Sequence, residues 1–235
     1  MQQRLASPHP DNGFLDLVRA IVSNDARLAL QLVKDSPALV QAQCSAGATR
    51  NDAESCFFET IAHYMYAGDT ALHMAAAAFR PEIAQALVDR GADLAAKNRR
   101  GAEPLHYAAD SNIWNPTAQA ATIDCLIRAG ASPNATDKSG VPPLHRAVRT
   151  RCAAAVEALL AGGAEPRGRN KSGSTPLHIA VQNTGRGNSG TPHAIEQQRQ
   201  IIELLLRAGA RPDDKDENGK AVRDAARADW IRALF

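Results

Sequence analysis

Four stretches of the chain are near copies of one another, and their spacing leaves little freedom in how it can fold. They are Gly68-Asp-Thr-Ala-Leu-His73-Met-Ala-Ala, Gly101-Ala-Glu-Pro-Leu-His106-Tyr-Ala-Ala, Gly140-Val-Pro-Pro-Leu-His145-Arg-Ala-Val and Gly173-Ser-Thr-Pro-Leu-His178-Ile-Ala-Val. The histidines fall 33, 39 and 33 residues apart, a period of 33 with six residues inserted in one unit. A second landmark follows each copy: Gly91-Ala92, Gly130-Ala131, Gly163-Ala164 and Gly209-Ala210. A unit this short cannot bury an apolar face alone. Its neighbours must cover it, which makes the chain a stack.

Each unit reads as two helices and a turn-rich connection. Thr175-Pro176 opens a helix, with Thr as the cap and Pro at the first position, where its missing N–H costs nothing. Leu72, Leu105, Leu144 and Leu177 then point inward, and the alanines beside them let helices approach closely. The second helices carry apolar residues at helical spacing: Ile83, Leu87 and Val88; Ile123, Leu126 and Ile127; Val156, Leu159 and Leu160; Ile201, Ile202, Leu205 and Leu206. Each ends at a glycine suited to a left-handed cap. With 4% aromatic residues and 44% hydrophobic ones, the core must come from Ala, Leu, Ile and Val, which suits packed helices better than a sandwich of sheets.

The period and the Thr-Pro-Leu-His-x-Ala signature resemble the ankyrin repeat. The resemblance covers roughly residues 13–235. It implies an all-α fold with short β-hairpin fingers, an ankyrin-type α-solenoid of about six stacked helix-pair units. The units divide as a tail at 1–12, a capping repeat at 13–42, an insertion at 43–64, and repeats at 65–97, 98–136, 137–169 and 170–215, with a closing cap at 216–235. It also implies partner binding rather than catalysis. By the repeat's template, contacts come from finger tips and exposed first-helix positions: Tyr66, Arg99, Arg100, Ala102, Tyr107, Asp110, Trp114, Lys138, Val141, Arg146, Arg149, Lys171, Ser174, Gln182 and Asn183. On that reading Trp114→Ala or Arg146→Glu weakens binding without lowering stability.

Three insertions interrupt the ruler: one within 43–64, one near 110–119 and one near 183–195. The first, Glu54 to Tyr66, is apolar enough for a short packed helix bridging the N-terminal cap to the next unit. The other two fall between the two helices of alternate units, emerging on one side of the stack as walls of a groove or as surface drift. An exposed Trp114 there is a typical interface anchor. Gly185 to Gly190 is Gly-rich enough to be flexible.

His73, His106, His145 and His178 occur once per unit at the signature position, where a ladder of bonds to turn backbone explains them better than metal or acid–base chemistry. His145→Ala is then expected to lose roughly 1 kcal/mol of stability. Cys44, Cys56 and His63 lack the tight pair spacing and fourth ligand of a zinc site. No nucleophile elbow, zincin, phosphate-loop or dinucleotide pattern occurs. We therefore expect no catalytic residue, no metal and no cofactor.

A net charge of +2 makes no strong electrostatic case for nucleic acid or membrane. Lys97, Arg99, Arg100, Lys138, Arg167, Arg169, Lys171 and Lys215 do recur at successive finger tips, diluted by Asp137, Asp213, Asp214, Asp216 and Glu217. The expected partner is another protein bound by a monomer. The alternatives are an acidic protein or nucleic acid on the basic stripe, or an enzyme or toxin held by a regulatory subunit. No apolar run is long enough to span a membrane and no secretory signal is visible. With four cysteines and no Cys-x-x-Cys pair, a cytoplasmic location is expected, and the Arg- and Ala-rich composition suggests a bacterial source.

Overall fold

The structure is a computed structural model in which residues 11–49, 52–110, 113–182 and 190–235 are described. Among these residues there are twelve α-helices: α1 Asp11–Val22, α2 Ala26–Asp35, α3 Ala71–Ala77, α4 Pro81–Val88, α5 Pro104–Ala109, α6 Pro116–Arg128, α7 Pro143–Thr150, α8 Ala153–Ala161, α9 Pro176–Ala180, α10 Pro192–Arg207, α11 Val222–Ala225 and α12 Asp229–Arg232. They pack in two rows. The inner row runs α1, α3, α5, α7, α9, α11, each against the next, and α2, α4, α6, α8 and α10 form the outer row. The fold is an ankyrin-type solenoid of helix pairs.

Small residues make this stacking possible. Every residue of α3 is buried, four of its seven being alanine. Leu72, Leu105, Leu144 and Leu177 are all at most 1% exposed, and Ile83, Ile123, Val156 and Ile201 face them from the outer row. Cys125 and Cys152 are buried among them, and burial raises the pKa of both thiols. Among the described residues no helix is long and apolar enough to cross a membrane.

The fingers are built from one side chain each. Asn98 Oδ1 accepts from the backbone N–H of Arg100 (2.9 Å) and Ala102 (3.1 Å). Asp137, Asn170 and Asp216 repeat this bond pair in the following fingers. Three residues on, Gly101 takes φ +74, and a Cβ there would lie 2.8 Å from the Lys138 nitrogen. That nitrogen donates to the Arg100 carbonyl at 3.0 Å, so glycine here serves both the turn and the approach of the next finger.

The signature histidines join adjacent units. The backbone N–H of Thr70, Glu103 and Thr175 donates to Nδ1 of His73, His106 and His178, each at 3.1 Å. With Nδ1 accepting, Nε2–H is the donor. The Nε2 atoms of His73, His106, His145 and His178 meet the carbonyls of Ala102, Val141, Ser174 and Lys220 at 3.0, 3.1, 2.9 and 3.2 Å. His145 is the exception at Nδ1. Pro142 occupies its cap position and has neither N–H nor hydroxyl, so this buried nitrogen has no partner among the described residues. Pro142→Thr, at φ −76 and ψ 163, restores the arrangement of the other units without strain. We expect a gain of about 1 kcal/mol net of the lost proline rigidity, read as a melting temperature higher by about 2 °C. An unchanged or lower melting temperature would contradict this account.

The first insertion is not a helix. Phe57–Phe58 (β1) pairs antiparallel with His63–Tyr64 (β2), joined by a 3-10 turn at Glu59–Ile61 and a left-handed Ala62 at φ 47. Ile61, His63 and Met65 are buried while Ala62 and Tyr64 are exposed. That is the two-residue alternation of a strand, and it overrides the apolar content that suggested a helix. The segment is tied in by Ala48 N–H to the Met65 carbonyl (2.8 Å) and Cys44 N–H to the Asp69 carbonyl (2.7 Å).

The described parts of the other two insertions lengthen outer helices. Asn115 and Thr191 cap α6 and α10, each followed by a proline. These helices have 13 and 16 residues against 9 in α8 between them. Buried Gln119 and Gln198 then reach the carbonyl ends of α5 and α9, bonding Ala108 (2.9 Å) and Ala180 (2.7 Å). Residues 183–189, with Asn183 and most of the glycine-rich stretch, lie outside the described residues, as do 1–10 of the tail.

Candidate functional site

The inserted hairpin lies across the inner row and encloses a cleft of about 240 Å³. It is lined by Ala62, His63, Tyr64, Tyr66, Arg100, Ala102, Tyr107, Asp110, Arg146 and Arg149, drawn from the hairpin, one finger, α5 and α7.

Its floor is a satisfied polar network. Asp69, fully buried, accepts from the Tyr107 hydroxyl (2.8 Å), the Asn98 amide (2.8 Å) and the Tyr66 N–H (2.6 Å). The Tyr107 ring stands edge-on between His63 and His73, with centroids at 4.6 and 5.1 Å. Burial and then the Asp69 carboxylate push the Tyr107 phenol far above its usual range, so it stays a hydrogen-bond donor.

The wall is ionic. Arg146 bridges Asp110 at 2.5 Å and Asp137 at 2.7 Å, and Arg149 holds the other Asp110 oxygen at 2.9 Å. Burial works to lower the Arg146 pKa, but the two carboxylates outweigh it and the pKa is raised. Burial likewise works to raise Asp137, and the Arg146 guanidinium together with the backbone N–H groups of Val141 and Ser139 more than reverses it. The rim is aromatic and cationic. The guanidiniums of Arg99 and Arg100 lie 5.2 and 5.1 Å from the Tyr66 ring centroid, and Tyr64 packs against Phe57 at 4.7 Å. Phe57 and Tyr64 are two of the few large hydrophobic residues left exposed, at 37% and 38%.

Seven of the residues expected from sequence to meet a partner therefore converge here: Tyr66, Arg100, Ala102, Tyr107, Asp110, Arg146 and Arg149. Three of them are not the exposed positions anticipated. Ala102, Tyr107 and Arg146 are 1%, 2% and 7% exposed. The small Ala102 sits beneath the finger turn, while Asp69 and the Asp110–Asp137 pair draw the other two inward. Lys138, Lys171 and Arg99 are exposed at finger tips, Val141 is half-buried, and Ser174 and Gln182 line a separate cavity of about 370 Å³ with Arg227 and Lys220. Trp114 is outside the cleft, 52% exposed and edge-on to His193 at 4.9 Å. Sequence reasoning missed Ala62, His63 and Tyr64, whose signal was the strand-like alternation.

Part of the basic stripe is bonded within the fold. Lys97 faces Glu103 (3.6 Å), Arg167 faces Asp214 (2.6 Å), Lys171 donates to the Lys138 carbonyl, and Arg169 donates to the carbonyls of Gly173 and Lys215. Among the described residues no three His, Cys, Asp or Glu side chains come together to hold a metal ion.

Stacked helix pairs joined by a histidine ladder define a repeat solenoid. The family model for ankyrin repeats in three copies matches residues 116–216, and that for a single ankyrin repeat matches residues 67–99. The chain belongs to the ankyrin-repeat family, whose members are generally protein-interaction modules and generally not catalysts. No curated protein matches it.

Proposed function

We propose that this chain is a non-catalytic protein-recognition module, acting as a monomer in the cytoplasm, whose contact surface is centred on the cleft beneath the inserted hairpin. The observation that carries this reading is the hairpin itself. It adds an aromatic rim to the inner row at the point where the polar side chains beneath are already locked by their own bonds. A surface so fixed loses little side-chain entropy on binding. Trp114 supplies a second contact for a larger partner from the outer-helix side. The consumption of Lys97, Arg167, Arg169 and Lys171 in internal bonds weighs against nucleic acid on the finger stripe.

Affinity capture from the native lysate, followed by reconstitution with the purified partner, tests the reading. Tyr64→Ala and Trp114→Ala each remove an exposed ring and are expected to weaken the complex about tenfold. Both should leave the chain's own stability within about 0.5 kcal/mol of the parent. A complex indifferent to both substitutions would place the contact surface elsewhere.

A further inference from the structure

We propose that the cleft binds an acidic side chain, Asp or Glu, carried on an extended segment of the partner, with Arg100 and Arg149 taking its carboxylate. This rests on the recognition reading above and names the chemistry of what is recognised.

The argument is one of charge balance. Four guanidiniums surround the cleft, from Arg99, Arg100, Arg146 and Arg149, against the three carboxylates of Asp69, Asp110 and Asp137. Asp69 is saturated by Tyr107, Asn98 and the Tyr66 N–H, and Asp110 and Asp137 hold Arg146. Arg99 is anchored on the Ala48 carbonyl. Arg100 has no carboxylate partner among the described residues, yet its guanidinium carbon already lies over the Tyr66 ring, 5.1 Å from the centroid, at the rim. A guanidinium held by an aromatic ring keeps its fork of donors for a planar bidentate acceptor. Arg149, with its side chain 63% exposed, uses one nitrogen on Asp110 and lines the same space. The cleft is thus one negative charge short of balance, at a position two arginines can reach.

The size of the space selects the occupant. About 240 Å³ beneath the rim admits a side chain from an extended segment and not a helix or a folded lobe. Phe57 and Tyr64 offer an apolar neighbour for the residues flanking the acid. A nucleic-acid backbone would need a row of uncompensated cations, and the cleft offers one.

The test is selection of random peptides displayed on phage against the full chain. Enriched sequences are then synthesised with a fluorophore and titrated by anisotropy. The expected result is an enriched Asp or Glu. Replacing it by the corresponding amide, or replacing Arg100→Gln, should each cost about tenfold in affinity. The two together should cost little more than either alone, as for groups in direct contact. Peptides that bind equally well as amides, or indifferently to Arg100→Gln, would overturn the acidic site while leaving protein recognition intact. Displacement of the peptide by a single-stranded oligonucleotide at comparable concentration would reassign the arginines to phosphate and overturn it as well. Absence of any enriched peptide would also overturn it, and the recognition reading would then stand or fall on the lysate capture.

Discussion

Arg146→Glu should destabilise the centre of the array by about 3–5 kcal/mol, the cost of breaking a buried ion pair by removing one partner. The side chain is 9% exposed and, among the described residues, alone bridges Asp110, at the end of α5, and Asp137, in the following finger. The substituted chain would hold three carboxylates where one cation had joined two. Arg149 can still answer Asp110, but at 63% exposure its contribution is small, and nothing replaces the bond to Asp137. A fall of about 10 °C in melting temperature is expected, with Arg149→Glu as the contrasting variant, close to the parent. A normal melting curve for Arg146→Glu together with lost partner binding would return this residue to the recognition surface, where its position in the repeat had suggested it belonged.

Acid should weaken the fold earlier than carboxylate chemistry alone would. His63, His73, His106 and His145 are buried, and desolvation lowers the pKa of each below 6.5. For His106, desolvation and then the nearby Arg146 charge bring it to about 4. In the ladder the neutral rings of His73 and His106 are fully used: Nδ1 accepts from its own unit and Nε2–H donates to the next. A proton on Nδ1 would set donor against donor. The unfolded chain, with ordinary histidines near 6.5, binds protons first, so stability rises with pH through this window. It is at its full value above about pH 7, declines as pH falls below 6.5, and for His106 levels off only below about 4. That residue alone accounts for about 3 kcal/mol across the window. Urea midpoints at several pH values between 7.5 and 4.5 check this, and His106→Gln should flatten part of the slope. A midpoint unchanged between pH 7 and pH 5 would refute it.

Much of the fold can be read from the residues. The recurring Leu-His pair fixes which face of each inner helix is buried, and the apolar triplets of the outer helices fix the second row. A finer signal recurs too: Asn98-Arg-Arg-Gly, Asp137-Lys-Ser-Gly, Asn170-Lys-Ser-Gly and Asp216-Glu-Asn-Gly mark the four side-chain-bonded fingers. The equivalent place before Gly68 holds Met65, and there the connection is the inserted hairpin instead.

What stays hidden is whatever depends on pairing over long separations. Position 146 follows a signature histidine and reads as surface until Asp110, 36 residues earlier, comes alongside. Tyr107 reads the same way until Asp69, 38 residues earlier, captures its hydroxyl. Nor does the ruler say which way an insertion folds. That depends on the alternation of Ile61, His63 and Met65, whose burial becomes visible only with the inner row beneath them.

The ring contact between Trp114 and His193 changes how the stack can be edited. In an array of identical tiles, each feels only its immediate neighbours, and any one can be exchanged or removed. Here α6 and α10 are longer than α8 between them, and Trp114, two residues before α6, meets the ring of His193 at the start of α10. Splicing out the intervening tile, or substituting one with a longer outer helix, therefore breaks a clasp between units that are not adjacent in sequence. The middle three tiles have to be transplanted together if that contact is to be kept.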